Sequence, residues 1–195
     1  DRTLKPEESF SYDFGVDQRL WGNRVRLGLT YFQNEFTNLI SIESIATAPF
    51  VKGVNAGKAR SGGVEFTSEV DLLDTLVASV NYTYTDSEIL ATRHPIPREP
   101  AHRWNLGLTW EPLRRLSLFT QVHVVTQQWE PNVVYNSGHT RVDLGGSYRL
   151  VNRYAFLQAL DLTARVQNVL NEGYAEVRGF PALGINALIG LRASF

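Results

Sequence analysis

Eight cationic or aromatic side chains stand in stretches of the chain where no hydrophobic period runs: Arg93, His94 and Arg98; Trp129 and Tyr135; Tyr174, Arg178 and Phe180. A guanidinium grips a pair of anionic oxygens, and an aromatic face accepts a cation or a flat ring, so such a set suits an anionic or aryl-bearing ligand. Recognition residues gather on loops carried by a rigid scaffold, which is where these are expected; the alternative for each is a solvated loop side chain. Catalysis is not expected, because the chain holds no P-loop, no GxSxG, no HExxH and no paired carboxylates on a helix. Of its four histidines only His94 and His102 share a region. They are read as solvated, since a mobile loop without supporting hydrogen bonds holds a metal poorly. The absence of cysteine removes disulfides, thiolate metal sites and thiol nucleophiles together. No cofactor and no resident metal are expected.

A second charged set stands inside extended runs rather than between them. Asp13, Asp17, Arg19, Arg24, Arg26, Glu65, Glu69, Arg103, Asp143 and Arg165 alternate with apolar residues at period two, which places them on one face of a strand. The alternation recurs nine times. Clear examples are Val25, Leu27, Leu29 and Tyr31 against Arg24, Arg26, Gly28 and Thr30, and Leu160, Leu162, Ala164 and Val166 against Asp161, Thr163, Arg165 and Gln167. The third run is read from about Gly53 to Asp71. Phe119 and Leu188 break the phase.

Three features separate a membrane barrel from a soluble sandwich, both of which bury one face. The runs are about 10–14 residues long, whereas soluble strands centre on 5–6 and a tilted membrane-crossing strand needs 9–11. Short connections (Gly22–Asn23, about Asp71 to Thr75, about Pro112 to Arg114, Val151 to Gln158) alternate with long ones (Thr37 to Lys52, Asp86 to Ala101, Trp129 to Gly138, Asn171 to Gly184). Bacterial barrels sort their connections in this way, with short turns in the periplasm and long loops outside. Aromatics gather at the ends: Tyr82, Tyr84 and Trp104 at one, Trp21, Trp110, Tyr148 and Phe195 at the other, as two interfacial girdles would. The fold class expected is therefore all-β, an antiparallel transmembrane barrel contributing nine strands. The apolar face then meets lipid, and the charged face lines an aqueous or protein-filled interior.

The 195 residues carry a net charge of -1, which argues against a nucleic-acid partner, and no apolar run is long enough for a membrane-spanning helix. The chain opens on Asp1 and contains no methionine, from which a cut inside a longer protein is expected. No domain boundary is legible, so residues 1–195 are expected to form one stretch of barrel.

Three segments carry a resemblance: KPEESFSYDFGVD (Lys5 to Asp17), NAGKARSGGVE (Asn55 to Glu65), and VQNVLNEGY (Val166 to Tyr174) followed by the terminal INALIGLRASF. In order and spacing they resemble TonB-dependent outer-membrane receptors, and the likeness covers nearly the whole chain. The resemblance implies the C-terminal portion of a 22-stranded barrel around an N-terminal plug. It also implies import of a scarce nutrient such as a ferric siderophore, haem or a cobalamin-like chelate, energised through the TonB complex. Implied partners are the chain's own plug, outer-membrane lipid and lipopolysaccharide, the metal chelate, and the barrel-assembly machinery. For that machinery, Gly190, Leu191 and Phe195 resemble the recognition signal of a final strand, from which Ala193 departs because a larger apolar residue is usual there. The charged face is implied to meet plug or lumen water. The rival readings are a passive porin or other plugless barrel, which differs upstream, and a soluble all-β binding domain or carbohydrate-active enzyme, which would be a monomer without detergent.

Overall fold

The computed structural model describes residues 3–44, 46, 51–55, 57–130, 134–154 and 156–195; among them are fifteen β-strands and no helix. Asp1, parts of two long loops, and Ala56 of the second resemblance segment lie outside the described residues. In chain order the strands are β1 (Glu8–Leu20), β2 (Val25–Thr37), β3 (Ile40–Ser44), β4 (Val51–Asn55), β5 (Ala59–Leu73), β6 (Leu76–Ile89), β7 (His102–Leu113), β8 (Leu116–Val125), β9 (Gln128–Glu130), β10 (Val134–Asn136), β11 (His139–Tyr154), β12 (Leu157–Gln167), β13 (Ala175–Val177), β14 (Phe180–Pro181) and β15 (Asn186–Ser194). Nine of them form one sheet in the order β1-β2-β5-β6-β7-β8-β11-β12-β15, antiparallel throughout. The other six pair locally as β3 with β4, β9 with β10, and β13 with β14.

Strands run this long because their alternation is unbroken, and they stop where the backbone must reverse. Between β1 and β2, Trp21, Gly22 and Asn23 adopt φ of 49°, 66° and 71°, a left-handed run that ends the extended chain. The strands reach further toward the turns than the spacing of turn residues predicts. β5 continues to Leu73, β7 takes in Pro112, and β11 and β12 extend to Tyr154 and Leu157, so the connection read over Val151 to Gln158 shrinks to the two residues between those strands. A bulge between Arg149 and Val151 absorbs the offset there.

The third run departs from expectation. Residues before Ala59 do not extend β5; Gly57, at φ 91°, redirects the chain, and Val51–Asn55 fold back onto Ile40–Ser44 as a hairpin. Three of the four long connections likewise carry a small hairpin, so they are built loops rather than open coil.

Register sorts the side chains as the alternation requires. One face carries rows such as Ala78–Leu108, Val80–Leu106–Val122 and Tyr148–Leu162–Leu191. The opposite face carries Arg26–Glu69–Ser79, Asn81–Asn105–His123 and Gln121–Asp143. Phe119 and Leu188 lie on the polar face, Phe119 opposite Gly145 and Leu188 opposite Arg165. A side chain at Gly145 would press on the Phe119 ring, 2.5 Å from a Cβ placed there, so the glycine makes room for the out-of-phase aromatic. Among the described residues few apolar side chains are buried, Ala59, Ile89, Pro100 and Ala159. A single sheet layer with Leu106, Leu108 and Ile189 open on its apolar side is a barrel wall, not a sandwich.

Candidate functional site

All four tight turns leave one end of the sheet and all four long connections leave the other. At this loop end the connections converge on one carboxylate. Glu130, at the tip of β9, is only 3% exposed. Arg98 Nε donates to its Oε2 at 3.0 Å, and the backbone N–H of Arg178 donates to its Oε1 at 3.3 Å. The Arg98 N–H also donates to the Trp129 carbonyl at 2.8 Å, and His94 stacks on the Trp129 ring with centroids 5.0 Å apart. Arg98 holds φ 65°, a conformation that costs an ordinary residue about 1–3 kcal/mol and is kept only where its surroundings impose it.

Two cavities adjoin this junction, and Arg98 lines both. The first, about 670 Å³, has an apolar side of Leu39, Ile40, Ile42, Ile89, Ile96 and Pro97 and a polar side of Arg98, Glu130 and Arg178. The second, about 420 Å³, lies against the polar face of the sheet and is lined by Arg98, Arg103, Arg141, His123, His139, Asn105, Gln128 and Glu176. Arg103 makes no ion pair among the described residues, whereas Arg141 is held 3.3 Å from Asp143. Tyr174 stacks on His139 at 3.9 Å, and Gln128 and Asn136 donate to the carbonyls of Glu176 and Ala175, tying the β9–β10 hairpin to the β13–β14 hairpin.

Beneath the second cavity a fully buried carboxylate, Asp143, gathers two partly exposed arginines. Asp143 accepts from Arg165 at 2.6 Å and from the Asn168 N–H at 3.0 Å. Asn168, itself buried with φ 51°, donates to the carbonyls of Glu172 and Leu183 and accepts from the Glu172 N–H. Asn171 Oδ1 accepts from the Ile185 N–H at 2.9 Å. The asparagines of VQNVLNEGY thus fold the last long connection back onto the wall, and Glu172 carries the link on to the Thr140 N–H.

Of the loop residues singled out by composition, Arg98 and Arg178 line the cavities. His94, Trp129 and Tyr174 brace them through ring stacking. Arg93 is turned to Glu88 at 3.0 Å, while Tyr135 and Phe180 stand exposed. His94 and His102 do not meet: His102 opens β7 on the apolar face, hydrogen-bonded to Tyr82 at 2.8 Å and packed beside Tyr84. Among the described residues no group of three metal-ligating side chains converges. Sequence reasoning missed Glu130, Arg141, His123 and His139 as cavity residues; the legible signal was their polar phase next to a long connection.

By register the charged residues of the strands share one side of the sheet, some of them with local partners. Arg26 pairs with Glu69 and lies 3.5 Å from Asp71, and Arg149 makes a two-pronged bond to Asp161 at 2.8 and 3.2 Å. Asp13 stands opposite Phe32, and Glu65 opposite Thr30 and Thr83. Arg24 belongs to the first turn rather than a strand and donates to the Asp71 carbonyl. Gly190 and Leu191 lie in the edge strand β15, and Phe195 stacks on Phe156 at 5.9 Å.

A family model described as TonB dependent receptor-like, β-barrel, matches residues 1–169. Over 212 aligned residues the chain is 26% identical to the iron-regulated outer membrane virulence protein of Vibrio cholerae serotype O1, covering 98% of this chain and 32% of that protein. The solved copper transporter OprC aligns with a TM-score of 0.82 at 18% identity over 100% of this chain and 32% of its own. A mutant of the ferric enterobactin receptor of Pseudomonas aeruginosa gives 0.73 at 24% identity over 97% of this chain and 32% of that one. At these identities the structural likeness carries the fold, and the chain spans roughly a third of the length of each relative. With nine long antiparallel strands, connections sorted by end, and a family match over most of its length, this chain belongs to the β-barrel of the TonB-dependent receptors of the outer membrane.

Proposed function

We propose that this chain supplies wall and outer vestibule to an active-transport receptor, which captures a scarce nutrient as an anionic metal chelate at the loop end and imports it with TonB-derived energy. It contributes nine strands to a 22-stranded barrel, which the remaining strands and a plug complete. The polar face, with Asp13, Arg24, Arg26, Glu65, Glu69, Arg103, Asp143 and Arg165, meets plug and lumen water, because these charges are tolerable there and costly in hydrocarbon. Gly190, Leu191 and Phe195 serve recognition by the assembly machinery.

The observation that carries the ligand reading is the pair of adjoining cavities sharing Arg98, with the Arg103 and Arg178 guanidiniums free to donate to anionic oxygens. Charge-assisted hydrogen bonds of this kind contribute about 1.5–3 kcal/mol each, so Arg103→Ala in the full-length receptor is expected to weaken capture about tenfold or more. The test is binding and uptake of radiolabelled ferric catecholate, hydroxamate and citrate chelates by cells with and without an energised TonB system. Uptake that needs TonB and falls with Arg103→Ala supports the reading. Uptake indifferent to both makes the barrel a passive porin.

A further inference from the structure

We propose that the turn end of β8, β11 and β12 holds one anionic phospholipid of the periplasmic leaflet, with an acyl chain lying over Gly146 and Ala164 and the phosphate at Arg114 and Arg115. This does not rest on the ligand reading at the opposite end of the sheet.

The observation is a trough of about 410 Å³ in the apolar face. Register explains its shape. One row across the sheet reads Leu118, Gly146, Ala164, Ile189, so the two central positions carry no side chain or a single methyl between two large ones. The row on the loop side has Leu144 beside Val166, and the row on the turn side has Leu116, Tyr148 and Leu162; together with Leu118 these six line the trough. Its surface is almost wholly apolar, and in an outer-membrane barrel this face is bathed in lipid. Hydrocarbon chain has the chemistry and the narrow section to fill such a dent.

What singles out an anionic lipid is the charge at the trough's mouth. The turn between β7 and β8 is Arg114–Arg115, directly before Leu116, and the Arg149 N–H, next to Tyr148, donates to the Arg115 carbonyl at 2.8 Å. Both arginines are exposed, and neither makes an ion pair among the described residues; Arg149 is already taken by Asp161 at 2.8 Å, and Glu111 pairs with neither. Trp110 and Tyr148, 45% and 42% exposed on the apolar face, stand where rings with a polar edge mark headgroup depth. Two uncompensated guanidiniums at that depth attract net negative headgroups, whereas the ammonium of a zwitterionic lipid offsets its own phosphate.

The experiment is native mass spectrometry of the full-length receptor, exchanged into mixed micelles with phosphatidylglycerol or phosphatidylethanolamine. Wild type is expected to retain phosphatidylglycerol over phosphatidylethanolamine by about fivefold or more, since each arginine near a charged membrane surface is worth roughly that factor. Arg114→Gln with Arg115→Gln is expected to abolish the preference, and Ala164→Leu, which fills the trough without touching a charge, to reduce retention of both lipids. Heat-shifted gel mobility checks that each variant is folded, and the single Arg114→Gln stands in if the double variant is not. Equal retention of the two lipids by wild type overturns the proposal, as does a preference untouched by both changes. A receptor dimer through this face that excludes lipid overturns it too.

Discussion

Asp143 has no exposure and three hydrogen-bonding or charged neighbours, Arg141, Arg165 and the Asn168 N–H, so it is the side chain whose loss leaves most uncompensated. Removing the carboxylate leaves the buried Asn168 N–H without its acceptor and two partly exposed arginines without their partner, at a cost of about 1–3 kcal/mol. Asp143→Ala is therefore expected to lower the temperature at which the full-length receptor loses its unheated gel mobility. Protection of the Asn168 amide against hydrogen exchange should fall with it. Glu130 is buried too, but its partners belong to loops. Glu130→Gln keeps the shape and removes the charge that orients Arg98, so it should leave the melting behaviour close to wild type while changing chelate capture. A melting shift as large as that of Asp143→Ala would show that Glu130 carries the wall and not the vestibule.

Strands succeed here because each repeats a simple pattern, and that pattern makes a depth-dependent claim. Val80, Leu106 and Val122 form one row on the apolar face, midway between the aromatic ends. Leu106→Arg is expected to destabilise the barrel by about 2–4 kcal/mol, as a charge at the bilayer midplane does. A lipid-phase quencher should reach reporters at positions 80, 106 and 162, and failure to reach any of them would place this face against protein. The charged row nearer the loops behaves otherwise. Arg60 faces Glu88 at 3.0 Å on the same nominal face, and Arg93 joins the same carboxylate, so the sheet has left hydrocarbon by that level. Arg60→Leu should accordingly shift stability by far less than Leu106→Arg in the same unfolding assay.

At the scale of the molecule, β1 and β15 are the two edges of the nine-stranded sheet. Unpaired edges recruit other strands, so the isolated 195-residue chain is expected to aggregate in detergent, read by light scattering. The full-length receptor should stay dispersed and show the gel shift between unheated and boiled samples. The loop end concentrates Arg98, Arg103, Arg141 and Arg178 around two cavities. Capture that depends on these charges should weaken as ionic strength rises and the screening length falls below the size of the vestibule. Salt-independent capture would point to the apolar side of the larger cavity instead.

Much of this was legible in the residues alone. The nine strands of the main sheet, the face each of their side chains takes and the sorting of short from long connections all follow from period-two alternation, since a one-residue slip would turn a strand's whole apolar set the other way. Phase breaks at Phe119 and Leu188 were visible as such. Strand ends were less legible: the Arg149–Val151 bulge and the hairpin of Val51–Asn55 arise from local φ changes and pairing partners that composition does not encode. The vestibule was least legible of all. Arg98 and Arg178 were visible as cations in loops, but Glu130 lies 32 residues from the arginine it binds and 48 from the amide it accepts. Such a contact has no period. It exists because the sheet brings the ends of distant strands side by side, and only folded geometry says which loop residues then meet.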